Sequence, residues 1–105
     1  MPTKIETETQ LLRHNGVEID PARSLAYANG RQVELTKNEM RILTLLVSKA
    51  GTIVSREALM RDLWDSDAFV DDNTLTVNIN RLRGTLEKIG VKGYLTTHRG
   101  RGYSV

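Results

Sequence analysis

The chain has no cysteine. That excludes a disulfide framework, a thiolate zinc site and a cysteine nucleophile, and it fits a reducing cytoplasm. No apolar run approaches the roughly 18 residues that a membrane-spanning helix needs. The opening Met1-Pro2-Thr3-Lys4 lacks the apolar stretch of a secretory signal. Aromatic residues are few: one Trp, three Tyr and one Phe. That is too little for the stacking platform that single-stranded bases require. There is no low-complexity tract and no internal repeat. The HExxH, phosphate-loop and GxSxG patterns are missing. His14 and His98 lie in separate turns without a conspicuous nucleophile nearby. Asp71-Asp72 reads better as a helix N-terminus than as a metal pair, because carboxylates there complement the helix dipole. No catalytic residue, metal or cofactor is expected.

What is present is a charge polarity. Residues 74–105 hold six basic side chains (Arg81, Arg83, Lys88, Lys92, Arg99, Arg101) against one acid, Glu87, a net +5. Residues 1–73 hold nine basic against twelve acidic residues, a net −3. The overall charge of +2 hides this division. A small domain with its positive charge gathered at one end is built to face a polyanion. At 105 residues the chain fits one domain.

Residues 1–10 are polar and aperiodic, and read as a tail or linker remnant; residues 11–105 read as the domain. Residues 11–35 alternate apolar and polar positions between turn signals. Asn15-Gly16 and Asn29-Gly30 are tight-turn pairs, and Asp20-Pro21 breaks the run between them. The sum is an antiparallel meander of three or four strands. Thr36 with Glu39 forms a capping box for a first helix with Met40, Leu43, Leu46 and Val47 inward, ended by Gly51. Ser55 caps a second helix through Trp64, with Leu59, Met60 and Leu63 inward. Residues 65–72 form an acidic loop. Asp72 or Asn73 caps a third helix that runs to about Ile89, where Gly90 stops it. Residues 94–97 and 102–105 read as two strands joined by His98-Arg99-Gly100-Arg101.

On a wheel of about 100° per residue, Leu75, Ile79, Leu82 and Leu86 form the core stripe of the third helix. The opposite face carries Asn73, Val77, Asn80, Arg81, Gly84 and Lys88, with Thr74 at its edge. That face is short of Glu and holds a Val, two Asn and a Gly, where helix propensity would favour Lys or Glu. A mildly basic, solvated face is the plain reading. Duplex reading explains the choice better. Asn pairs with adenine, Arg with guanine, and an aliphatic methyl meets the thymine methyl. In the hairpin, two arginines at a glycine-rich tip suit phosphate contact or insertion into a minor groove.

The run Val70-Asp71-Asp72-Asn73-Thr74-Leu75-Thr76-Val77-Asn78-Ile79-Asn80-Arg81-Leu82-Arg83, with Thr97-His98-Arg99-Gly100-Arg101-Gly102-Tyr103 after it, resembles the C-terminal effector domain of OmpR/PhoB-type response regulators. Leu35-Thr36 with Glu39, and Val54-Ser55-Arg56-Glu57 with Leu59, match the same pattern. The resemblance covers about residues 11–105. The charge pattern is similar to the subgroup that answers cell-envelope or antimicrobial-peptide stress.

The resemblance implies an α+β fold, a winged helix-turn-helix with an N-terminal antiparallel sheet, three helices and a C-terminal hairpin wing. Residues 73–88 would be the recognition helix in the major groove, and residues 94–105 the wing at the minor groove. Val77, Asn78, Asn80 and Arg81, with Arg99 in the minor groove, are the expected base contacts. Trp64, Asn73, Thr74, Arg83, Thr97, Arg101 and Tyr103 are the expected backbone contacts; for Trp64 and Tyr103, core packing is the plainer role. Asp65, Asp67, Phe69 and Asp71 match the loop that contacts RNA polymerase. Some relatives carry basic residues at the positions of Asn73 and Asn80, so either phosphate contact there is weaker or Asn80 reads a base. The receiver domain of such regulators, on which a sensor histidine kinase acts, is absent from this sequence. The expected function is sequence-specific duplex DNA binding in transcription control, in the cytoplasm. The isolated domain would be a monomer, pairing head to tail on direct repeats. The alternatives are a winged-helix protein-interaction module or a stand-alone transcription factor without a receiver.

Overall fold

The structure, a computed structural model, describes residues 11–65 and 70–105. The tail expected at 1–10, and Asp67 and Phe69, lie outside the described residues. The chain begins with four antiparallel strands in sequential order: β1 (Leu12–His14), β2 (Val17–Asp20), β3 (Leu25–Ala28) and β4 (Arg31–Glu34). The two Asn-Gly pairs set the register of the outer hairpins. Asn15 and Gly16 have φ of 48° and 83°, and Asn29 and Gly30 have φ of 55° and 73°. Two consecutive positive φ values match the twist of a two-residue hairpin. The register pairs Leu12 with Ile19, Ile19 with Ala26 and Ala26 with Val33 across the sheet. Ile19 and Ala26 are fully buried in this row, which packs toward the helices. The row beside it, Arg13, Glu18, Tyr27 and Gln32, belongs to the opposite face by strand alternation.

Three helices follow: α1 (Lys37–Ser48), α2 (Arg56–Asp65) and α3 (Asp72–Glu87). The capping box of α1 is complete. The Glu39 backbone N–H donates to Thr36 Oγ1 at 3.1 Å, and the Thr36 N–H donates to Glu39 Oε1 at 2.7 Å. The other oxygen of Glu39 accepts from the Thr85 hydroxyl at 2.9 Å, so the buried cap of α1 also holds α3. Ser55 Oγ accepts from the Ala58 N–H at 3.0 Å and opens α2. Leu75, Ile79, Leu82 and Leu86 are fully buried, and pack into one core with Leu43, Leu46, Leu59 and Leu63.

Element ends differ from the sequence expectation at the helices, and at the wing, where the first strand begins at Thr96 rather than 94 and takes in His98. Helix α1 stops at Ser48 with Lys49 as its C-cap, and Gly51 supplies a positive φ of 90° in the turn beyond. The N-cap of α3 is Asp71, whose carboxylate accepts from the Thr74 N–H at 2.8 Å. That displaces Asp72 and Asn73 into the helix. Helix α3 ends at Glu87, and Ile89 and Gly90 form the turn after it. The wing strands are β5 (Thr96–His98) and β6 (Gly102–Ser104), paired antiparallel.

Candidate nucleic-acid interface

Helix α3 presents the expected outer stripe. Asn73, Thr74, Val77, Asn80, Arg81, Gly84 and Lys88 are all exposed. Val77 keeps 46% of its surface open, one of three large apolar side chains exposed among the described residues. Asp71 fixes where this stripe begins. Its carboxyl is held below the usual carboxylate range, first by the hydrogen bond from the Thr74 N–H and then by the Thr74 side chain.

The wing lies against the same helix. Arg83 Nη2 donates to the Leu95 carbonyl at 3.3 Å and to Thr97 Oγ1, while Nη1 donates to Asn80 Oδ1 at 3.2 Å. Asn80 and Thr97, 17 positions apart in sequence, thus share one guanidinium. At the tip, Arg99 and Arg101 are exposed around Gly100, with φ of 71°. Gly102 does a different job. A Cβ there would sit 2.0 Å from the Val54 carbonyl oxygen, and its φ is 146°. No other residue lets the wing approach the start of α2 so closely. Beside it, Val54 and Tyr103 exchange backbone bonds of 2.8 and 2.9 Å.

Three further expected contact residues have internal partners. Asn78 is not on the outer face: it is 6% exposed, and its amide donates to the Thr74 carbonyl at 2.9 Å. It sits one position before Ile79 and shares the buried side, so the expectation of a base contact is corrected on geometry. The Trp64 indole N–H, expected to meet a phosphate, donates to the Val70 carbonyl at 3.1 Å, while the ring remains half exposed. Tyr103 is buried, and its hydroxyl accepts from Arg56. Of the residues expected in the loop before α3, Asp65 is instead the exposed last residue of α2, and Asp71 serves as the cap of α3.

Sequence reasoning gave Arg56 no role. The structure makes it a junction. Its Nε donates to Asp72 Oδ1 at 3.0 Å, and its Nη2 to the Asp72 carbonyl at 2.7 Å and to Thr76 Oγ1 at 2.9 Å. The available signal was a basic residue in the first turn of a helix, where the dipole favours an acid. Such a residue needs a partner elsewhere.

A sheet-buttressed three-helix core with an open third helix and a basic hairpin beside it defines the winged helix-turn-helix of DNA-binding transcription regulators. The chain belongs to the family described as transcriptional regulatory protein, C terminal, which matches residues 30–105 and is a regulatory rather than a catalytic family. Among its relatives is the sensory transduction protein BceR of Bacillus subtilis strain 168. The two are 48% identical over 88 residues, which is 84% of this chain and 38% of that protein. The response regulator protein GraR of Staphylococcus aureus strain MRSA252 is 42% identical over 96 residues, 91% of this chain and 43% of its own. The chain therefore spans about two fifths of the length of these curated relatives. Among solved structures, the C-terminal domain of the nisin resistance regulator NsrR, a lantibiotic response regulator, aligns with a TM-score of 0.82 at 36% identity, covering 91% of this chain and 96% of that one. The DNA-binding domain of response regulator AdeR, solved in complex with an intercistronic region, aligns with a TM-score of 0.77 at 26% identity, covering 90% and 96%.

Proposed function

We propose that the domain binds duplex DNA sequence-specifically, with α3 in the major groove and the hairpin tip at the minor groove. The observation that carries this reading is the exposed, Glu-free stripe of α3, joined through Arg83 to an arginine-tipped wing. Val77, Asn80 and Arg81 meet base edges, and Arg99 enters the minor groove. Asn73, Thr74, Thr97 and Arg101 hold the sugar-phosphate backbone, while Arg83 divides its guanidinium between the wing and the DNA. In the full-length protein an upstream receiver domain, acted on by a sensor histidine kinase, controls this domain in the cytoplasm. The segment around Asp65 meets RNA polymerase. The domain is monomeric alone and pairs head to tail on direct repeats about one helical turn apart. Likeness to NsrR, a lantibiotic response regulator by its description, supports a place in the response to antimicrobial peptides.

Selection of bound duplexes from a random pool, followed by titration at two salt concentrations, tests the reading. A recovered consensus with a steep salt dependence supports it. Retention of no duplex, or a salt-independent affinity, would favour the protein-interaction alternative.

A further inference from the structure

We infer that Arg56 is a positioning residue for DNA recognition, setting the angle between α3 and the wing by bridging Asp72, Thr76 and Tyr103. This rests on the proposed duplex-binding reading and names a determinant within it.

Arg56 lies in the first turn of α2 and touches both recognition elements. Toward α3 it makes three bonds, two of them to Asp72 and one to Thr76. Toward the wing it donates to the Tyr103 hydroxyl, with its guanidinium carbon 5.8 Å from the centre of the Tyr103 ring. All three of its nitrogens are thereby engaged. The wing is attached to the segment before α2 by the backbone exchange between Val54 and Tyr103 and by a long bond of 3.5 Å from the Gly51 N–H to the Val105 carbonyl, few enough bonds to leave it freedom to rotate. A planar guanidinium with donors in a fixed fork removes that freedom, because it must satisfy acceptors on two elements at once. Arg83 makes a second tie farther along α3. The two arginines thus hold the wing from opposite ends of the helix.

Asp72 gives the arrangement a second consequence. Its side chain is 75% exposed at the start of the proposed recognition helix, where a bare carboxylate would repel phosphates. The Arg56 charge 3.0 Å away offsets it. A guanidinium bound in this way is braced rather than reaching for DNA.

The test uses the wild-type domain, Arg56→Gln, Asp72→Asn, Arg99→Ala and the double variant Arg56→Gln/Arg99→Ala. Each is titrated with the pool-selected duplex at two salt concentrations, and each is melted to verify folding. Arg56→Gln should bind about tenfold more weakly with an unchanged salt slope, and Arg99→Ala should lose most of its own effect in that background. Full additivity of Arg56→Gln and Arg99→Ala would overturn the positioning role. So would a salt slope lower by about one unit in Arg56→Gln together with tighter binding by Asp72→Asn, because Arg56 would then grip a phosphate itself. If Arg56→Gln does not fold, Tyr103→Phe, which removes only the hydroxyl acceptor, takes its place and the same coupling to Arg99→Ala decides. A wild-type domain that binds no duplex would sink the DNA reading as well, whereas a binding wild type with indifferent variants sinks only this inference.

Discussion

Asn78 shows how a single position on a helix decides between structure and recognition. It carries the side chain best suited to adenine, yet one step of about 100° turns it into the core. Its amide returns to the Thr74 carbonyl, one turn earlier in the same helix. Asn78→Ala should therefore lower stability by about 1 kcal/mol and leave the selected consensus unchanged. Chemical denaturation and a repeat of the pool selection check the two halves of that expectation. The amphipathic wheel did identify the leucine stripe and the outer face, because both follow from the helical period alone. It could not assign Trp64 or Tyr103. Whether an aromatic N–H or O–H meets a phosphate or an internal partner depends on where the fold places that partner, the Val70 carbonyl for Trp64 and the Arg56 guanidinium for Tyr103. Gly102 was legible as a glycine of the hairpin, but its reason is the Val54 carbonyl 2.0 Å from a Cβ built there. Gly102→Ala should destabilise by roughly 2–3 kcal/mol or more, read as a fall in the denaturation midpoint.

The elements are held by caps that face each other. Thr36 and Glu39 close α1, and Glu39 then reaches Thr85 of α3. Asp71 opens α3, and Asn29, from the β3–β4 turn, donates to the Ile89 carbonyl at 2.8 Å just beyond its end. The sequence announced the Thr36 capping box and both Asn-Gly turns through local rules. It placed the start of α3 one or two residues late, because three consecutive residues from Asp71 to Asn73 are all good caps. Only the extended backbone of Asp71 selects among them. Thr36→Ala should cost about 1 kcal/mol. The Asp71 cap carries a pH signature. Its pKa lies below the ordinary value of 3.8, so it stabilises the fold above that pH and the contribution fades as pH falls through the folded-state value. Asp71→Asn, which caps without a charge, should flatten that part of the acid profile followed by helical signal. At the alkaline end Tyr94 behaves in the opposite sense. Burial raises its pKa from 10.0 to about 12, and its hydroxyl donates to the His14 carbonyl at 2.9 Å. Stability is therefore intact below pH 10.0 and declines as pH rises toward about 12. Tyr94→Phe should lose that decline.

Across the whole molecule, charge and shape divide the work. On the proposed reading, the net +5 of residues 74–105 supplies grip and steering, and the partly neutral stripe of α3 supplies discrimination. Arg101→Ala should weaken all duplexes alike and lower the salt slope by about one unit, measured by titration across salt concentrations. The order of sheet, three helices and hairpin was legible because each junction carries a strong local signal. The mutual placement of α3 and the wing was not, since Arg56 and Arg83 join residues distant in sequence. On the proposed reading, α3 reads bases. The most direct measurement compares the wild-type domain with Arg81→Ala on the selected duplex and on random duplex at one salt concentration. Arg81→Ala should lose about 1–3 kcal/mol on the selected duplex and far less on the random one, relaxing a single base position. An Arg81→Ala domain that binds both duplexes as wild type does would contradict the assignment of α3 as the recognition helix.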